Sequence, residues 1–390
     1  MDGRRVAITG LGVLARCGTG VDAFWDGLFV DPGDASRAID DFDPAPWFDN
    51  VKESRRTDRF AQFALAAAQM AINQAGELDI DPRRRGVIYG TGVGGLNTLE
   101  EQILTFHTKG PRKVSPFLVP MMMANAGAAA ISMRHGWQGP CETVVTACAT
   151  GAHSIGAAAR LVAAGRCDAV LTGSSEAAMT PVGIQGFANM TALSTSGFSR
   201  PFDVRRDGFV IAEGAGALLL EDWEHAEARG ATILAEVLGA GDTADAHHIT
   251  APSPGGTGAI ACMEQALEDA GLTPADIGQI NAHGTSTPRN DEAEAEAIAK
   301  VFGADGPPVT SIKGVTGHSL GAAGSLEAVA VVQSLLTGVI PPTIGYAERD
   351  PDLVAIDIVT EARSWTPAPA LSNSFGFGGH NGCIIIGPNL

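Results

Sequence analysis

Short β-branched and aliphatic runs alternate with longer Ala-rich stretches along this chain. Residues 5–12, RVAITGLG, read as a strand entering a glycine turn. Residues 60–75 place apolar side chains at helical spacing and predict a helix. Residues 86–89 predict a buried strand, followed by a Gly-rich segment at 90–95. A strand over 142–146, a helix over about 149–164 and a strand over 169–172 come next. This alternation predicts an α/β fold.

The pattern also repeats. His153-Ser154-Ile155-Gly156-Ala157-Ala158 returns as His318-Ser319-Leu320-Gly321-Ala322-Ala323. Val145-Thr146 precedes the first copy and Val309-Thr310 the second, and residues 5–12 have a counterpart in 234–241. Two related halves, 1–230 and 231–390, follow as the expected organisation, in one body without a linker. The longer first half is expected to carry its extra segments around 30–60 and 95–130, as a cap, a partner contact or a pocket lining.

Composition narrows the function classes. The chain has 390 residues, 45% of them hydrophobic and 18% charged, which is ample for a large core. Its formal charge is −18, which argues against binding nucleic acid or an anionic membrane. Apolar runs such as 210–220 are broken by Glu or Gly, so no membrane span is expected, and residues 1–5 lead into the first strand without a signal-peptide core. Six scattered cysteines with no CxxC pair fit a reducing cytoplasm, and no metal-ligand spacing occurs. Lysine is scarce, at five residues, so the place of each is informative.

Candidate chemistry gathers where strands end. Cys148 stands in Val144-Val145-Thr146-Ala147-Cys148-Ala149-Thr150-Gly151, between a strand and a helix. A helix N-terminus is expected to lower the thiol's pKa, and the strand-turn-helix placement to present the sulfur. A buried structural cysteine is the competing reading. His283, in Asn281-Ala282-His283-Gly284-Thr285-Ser286-Thr287, ends another strand. His318 follows Lys313-Gly314-Val315-Thr316-Gly317 and precedes a helix. Three such groups on one side of an α/β body outline a cleft. Residues 372–382, with Phe375 and Phe377 among glycines, read as a mobile loop able to gate it.

Over nearly its full length the chain resembles the elongating β-ketoacyl-acyl-carrier-protein synthases of the thiolase-like superfamily. Thr146-Ala147-Cys148, Asn281 to Thr287, Lys313 to His318 with Gly321-Ala322-Ala323-Gly324, and Asn373 to Gly379 carry the likeness. The resemblance implies a layered αβαβα fold of two duplicated halves. It implies a decarboxylative Claisen condensation through an acyl-Cys148 intermediate, with His283 and His318 binding the enolate. Lys313 would hold the histidine environment and pair with Glu327. Glu294 and Asp291 would be supporting acids, and the N–H groups of Cys148 and Phe377 the second oxyanion site. Phe377 and Phe375 would gate access, Thr285 and Thr287 would bind the pantetheine arm, and Val93, Leu118 and Phe187 would line the acyl pocket.

The same resemblance implies no cofactor and no metal. The implied partners are an acyl carrier protein and a second subunit, either another copy or a chain-length factor. It leaves fatty-acid and type II polyketide elongation both open. Carrier proteins are acidic, so docking is expected on Lys52, Arg55, Arg56 and Arg59, on Arg112 and Lys113, or on Arg205 and Arg206. Residues 193–201 are shorter than the Asn/Asp-rich loop of fatty-acid members, and Asn189-Met190-Thr191 lacks a carrier-docking arginine. His380 stands where many of those members have Thr. The alternatives are a thiolase, a non-catalytic chain-length partner and a Cys/His hydrolase. A thiolase needs a second, late cysteine, and only Cys383 is available. A non-catalytic partner would lack the nucleophile.

Overall fold

The computed structural model describes residues 3–303 and 305–389. Ten strands run in order across the main sheet, and the short strand Gly18–Thr19 pairs beside the first: β1 (Val6–Ala15), β2 (Arg85–Gly90), β3 (Cys141–Glu142), β4 (Ala169–Glu176) and β5 (Gly214–Asp222), then β6 (Ala235–Ala244), β7 (Gln279–Asn281), β8 (Val309–Thr310), β9 (Ala370–Gly376) and β10 (His380–Pro388). Their spatial order is β3-β2-β4-β5-β1-β6-β10-β9-β7-β8. Each set of five therefore runs third, second, fourth, fifth, first. In each, the fifth strand is antiparallel to both neighbours and the others pair in parallel. The sets join edge to edge where Ala7 and Ile8 of β1 meet Glu236 and Ala235 of β6.

Six helices complete the layers that matter here: α1 (Arg59–Ala75), α2 (Leu96–Lys109), α3 (Thr150–Ala163), α4 (Thr257–Ala270), α5 (Pro288–Phe302) and α6 (Ala323–Thr337). Helix α1 covers β1 and β5 from outside, and α4 covers β6 and β10. Between the two sets of strands lie α3 and α6, touching both. The result is an α/β protein in the order αβαβα, with an apolar cluster on each side of each sheet layer. The middle cluster packs Ile155, Val162, Leu326 and Val329. That explains the composition of 320–337, the stretch apolar enough to cross a membrane among the described residues: 83% of it is buried inside the protein.

Several predicted elements shift. The helix at 60–75 forms as α1, with the Asp58 carboxylate accepting from Phe60 N. The expected strand at 142–146 is the two-residue β3, after which the chain leaves the sheet. The strand at 169–172 continues to Glu176. Residues 372–382 are mostly β9, a three-residue turn and β10, so the expected loop is a hairpin. The His153 and His318 segments do not occupy matching places: His153 lies inside α3, whereas His318 precedes the short turn Leu320–Ala322 ahead of α6. The better match is Ala147 with Leu320. Both open such a turn, at φ 49 and φ 47.

Gly10 and Gly12 do not make the predicted turn either. Strand β1 runs through them to Ala15, fully buried along its length. A Cβ on Gly10 would lie 2.0 Å from Ala71 O, and one on Gly12 1.9 Å from Ala67 O. These glycines let α1 lie directly on the strand. Gly12→Ala must push the helix away and is expected to cost about 1–3 kcal/mol, read as a lower urea midpoint. An unchanged midpoint would contradict this packing role.

Candidate active site

The nucleophile's position begins with local backbone strain. Ala147 adopts the left-handed region at φ 49, a conformation costing about 1–3 kcal/mol for a residue with a Cβ. Neighbouring hydrogen bonds hold it there. Thr150 Oγ1 accepts from Thr146 N at 2.9 Å and donates to Ala147 O at 2.7 Å. The turn Ala147–Ala149 then delivers Cys148, 7% exposed, at the start of α3.

His283 follows β7, and its backbone is tied to α5. The Glu294 carboxylate accepts from His283 N and from Gly284 N, each at 2.7 Å, and from Asn373 Nδ2 at 3.2 Å. His318 is held from the other half: its N donates to Val210 O at 2.7 Å and its O accepts from Ala212 N at 3.0 Å. The cysteine sulfur and the nearest nitrogens of both rings fall within 4.8 Å of one another. His318 Nε2 is 3.0 Å from Cys148 Sγ, and the two imidazoles meet edge to face at 5.4 Å.

Lys313 lies behind His283, 1% exposed. Its ammonium donates to His283 O at 2.6 Å and to the Glu327 carboxylate, and it faces His283 Nδ1 at 3.4 Å. An ammonium has only protons to offer, so Nδ1 accepts and Nε2 carries the ring proton toward the cavity. Burial pushes both histidines well below their usual range, and the Lys313 charge pushes them further. Both rings are therefore neutral at pH 7.

The thiol departs from expectation. Burial pushes Cys148 up to about 12, with Lys313 and the Phe377 N–H only partly opposing it. Desolvation outweighs the helix N-terminus, so the resting group is a thiol and not the thiolate that the sequence context predicts.

A cavity of about 520 Å³ opens above these groups. Its wall includes Cys148, His283, His318, Thr285, Thr287, Glu294, Phe187, Phe375 and Phe377. Phe187 packs on Phe209, which packs on His318, at centroid distances of 5.5 and 5.1 Å. Phe375 lies 5.8 Å from the His283 ring. Phe377 caps the hairpin turn, and its N–H faces Cys148 Sγ. Thr285 and Thr287 hydroxyls bond each other at 2.9 Å on the wall.

Other candidates fall outside this wall. Asp291 is buried behind it, raised to about 6 by burial, and its carboxylate accepts from Phe202 N at 2.8 Å. Val93 is 44% exposed and Leu118 half-buried; neither lines the cavity of this single chain. Val93 precedes and Leu118 lies within the segment 96–122, whose Leu104, Phe106 and Val119 are exposed. Met121, Met122 and Met123 do not line it either.

Sequence reasoning missed Glu176. Fully buried at the end of β4, it accepts from Thr91 Oγ1, Gly92 N and Val93 N in one half and from Gly321 N in the other, at 2.8–3.3 Å. Burial raises it to about 7, and these donors oppose a further rise. Gly92 and Gly321 interlock, since a Cβ on Gly321 would lie 2.2 Å from Gly92 N. One carboxylate thus seams the halves beside the nucleophile. No local motif marks it, because its partners are about 84 and 145 residues away.

Cys148, His283 and His318 are also the group able to offer three metal ligands among the described residues. A dication there would sit beside the Lys313 ammonium, and a buried thiol must lose its proton to bind it. The donor set fits proton and oxyanion chemistry better than a metal.

Comparisons with known proteins agree with this arrangement. Residues 29–226 match the family model of the β-ketoacyl synthase N-terminal domain, and 234–347 that of its C-terminal domain. The 3-oxoacyl-[acyl-carrier-protein] synthase 2 of Synechocystis is 44% identical over 98% of this chain and 97% of its own length. That of Coxiella burnetii is 42% identical over 99% of each. Among solved structures, the ishigamide ketosynthase/chain length factor superposes with a TM-score of 0.93 at 34% identity, covering all of both chains. A type II polyketide ketosynthase in complex with its acyl-carrier protein gives 0.90 at 33%, again over all of both. The chain belongs to the β-ketoacyl synthase family.

Proposed function

We propose that this protein condenses an acyl chain with a malonyl unit, both carried as thioesters on acyl carrier protein, and that Cys148, His283 and His318 perform the chemistry. The observation that carries this reading is the convergence of a buried thiol and two neutral imidazoles beside Lys313.

In the first step Cys148 Sγ attacks the acyl thioester carbonyl while His318 Nε2–H, 3.0 Å away, donates to the sulfur, and the thiol proton passes to the departing pantetheine sulfur. The tetrahedral oxyanion rests on the N–H groups of Cys148 and Phe377, and the pantetheine thiol departs with a proton. In the second step the malonyl C–C bond to its carboxylate breaks and CO2 leaves. The electron pair becomes an enolate whose oxygen accepts from Nε2–H of His283 and of His318. A neutral ring that donates suits this step, because the charge to be stabilised appears only as CO2 departs. The enolate carbon then attacks acyl-Cys148, forming the new C–C bond and releasing the sulfur. Lys313, Glu327, Glu294 and Asp291 act through the histidines and the neighbouring backbone. No cofactor beyond the carrier's own arm enters these steps. Thr285 and Thr287 offer hydroxyls to that arm's amides.

We further propose a dimer. Val93, Leu118 and the exposed apolar residues of 103–123 would complete the acyl pocket against either a second copy or a chain-length factor. Solved relatives include ketosynthases of both the acyl-carrier-protein and the chain-length-factor complexes. Carrier docking narrows to Lys52, Arg55, Arg56, Arg112 and Lys113. Arg56 lies over the Phe117 ring at 4.3 Å, which brings the two basic segments together. Arg59, Arg205 and Arg206 are engaged by Glu213, Asp203 and Asp350. We place the protein in the cytoplasm, with its halves meeting near residue 230. The absence of a thiolase acid/base supports condensation: Cys383 is buried in β10 at 1% exposure, away from the cavity wall.

Incubation with acyl-carrier should add one acyl group at Cys148, seen by intact-mass analysis, and Cys148→Ala should abolish it. An acylated Ala variant would contradict the nucleophile assignment. His283→Ala and His318→Ala should still become acylated, yet lose at least about a hundredfold in malonyl-carrier decarboxylation. Normal decarboxylation by either variant removes that ring from the step. Because the resting thiol titrates near 12, alkylation of Cys148 by iodoacetamide should be slow at pH 7 and climb steadily to at least pH 10. A plateau below pH 8 would show a resting thiolate.

A further inference from the structure

One histidine of the repeated segment is not used by the chemistry. His153 lies on α3, five residues beyond the nucleophile, with a side chain 13% exposed, and it does not line the cavity. Its Nδ1 is 2.8 Å from Thr146 Oγ1 and its Nε2 is 3.0 Å from Asn381 O. A carbonyl only accepts, so Nε2 donates to Asn381 O, while Nδ1 is hydrogen-bonded to the Thr146 hydroxyl.

The two partners lie on the two segments that supply the oxyanion-binding N–H groups. Thr146 is two residues before Cys148. Asn381 pairs with Phe375 across the hairpin whose turn carries Phe377. The hairpin also reaches both the ring and the elbow without side chains between. A Cβ on Gly382 would lie 2.9 Å from His153 Cδ2, and one on Gly376 would lie 2.8 Å from Thr146 O and 3.1 Å from Cys148 N. The charged surroundings of the ring are Asp242, 3.6 Å from Nε2 and itself paired with Arg160 at 2.5 Å, and the His380 ring at 6.5 Å.

We propose that His153 is a positioning residue that sets the spacing between the Cys148 and Phe377 N–H groups, and so tunes acyl transfer without touching substrate. The inference rests on the two-step reading above. It separates the steps, because decarboxylation uses His283 and His318 and acyl transfer uses the two N–H groups.

The test compares the full-length protein with His153→Ala and with Thr146→Val, which deletes the hydroxyl with little change of shape. Acyl transfer to Cys148 is followed by quenched mass analysis, and malonyl-carrier decarboxylation is followed without an acyl donor. Both variants should slow acyl transfer about 10–100-fold, the scale of a misplaced catalytic group, and keep decarboxylation within about threefold. His153→Gln, which returns a donor and an acceptor, should recover most of the rate. Wild-type acyl transfer in the Ala and Val variants, or a parallel fall in both steps, overturns the proposal. A wild-type protein that neither acylates nor decarboxylates overturns the condensing reading instead.

Discussion

A buried ammonium organises this site. Lys313 and Glu327 are each 1% exposed and bonded to each other, at the start of the short helix Lys313–Thr316 and within α6. Removing either partner would strand a charge in a dry interior, at a cost of about 3–5 kcal/mol. The pair therefore stays closed, and its ammonium is held against His283. From that contact follow the ring's tautomer and the direction in which its proton points, while burial first and the ammonium's charge second keep it neutral. Glu294 takes the same histidine from the backbone side, so His283 is fixed by one cation and one acid at once.

Neutral imidazoles and a protonated thiol make a resting site with little charge of its own. Phe187, Phe209, Phe375 and Phe377 give the cavity an aromatic wall. In such surroundings a hydrogen-bond donor acts most strongly on charge that appears during reaction, first on a thioester oxygen and then on an enolate. On the proposed mechanism the site serves two oxyanions in turn. Its halves are joined at that place by Glu176, which accepts from Gly92 and from Gly321 through the same carboxylate oxygen.

Much of this was legible in the sequence. Cys148, His283 and His318 stand where an apolar run meets small residues, and Phe377 stands among glycines; such patterns are local and survive folding. The strand-helix alternation was legible for the same reason. What failed depended on distant atoms. A helix start suggested a thiolate, but the pKa of Cys148 is governed by burial from every side. Gly10 and Gly12 suggested a turn, but they answer to the carbonyls of Ala71 and Ala67 on α1. Glu176 carries no motif, because its partners come from loops about 84 and 145 residues away. The segment repeat was visible but out of register, since shared Gly/Ala letters do not distinguish a helix interior from a turn.

The tautomer of His283 tests the central claim most directly. Nitrogen-15 NMR of the histidine side chains, assigned by comparison with His283→Gln, reports which ring nitrogen is protonated. The account predicts a neutral ring with its proton on Nε2 and no titration between pH 6 and 9. A ring protonated on Nδ1, or one that becomes imidazolium near pH 6.5, would contradict it.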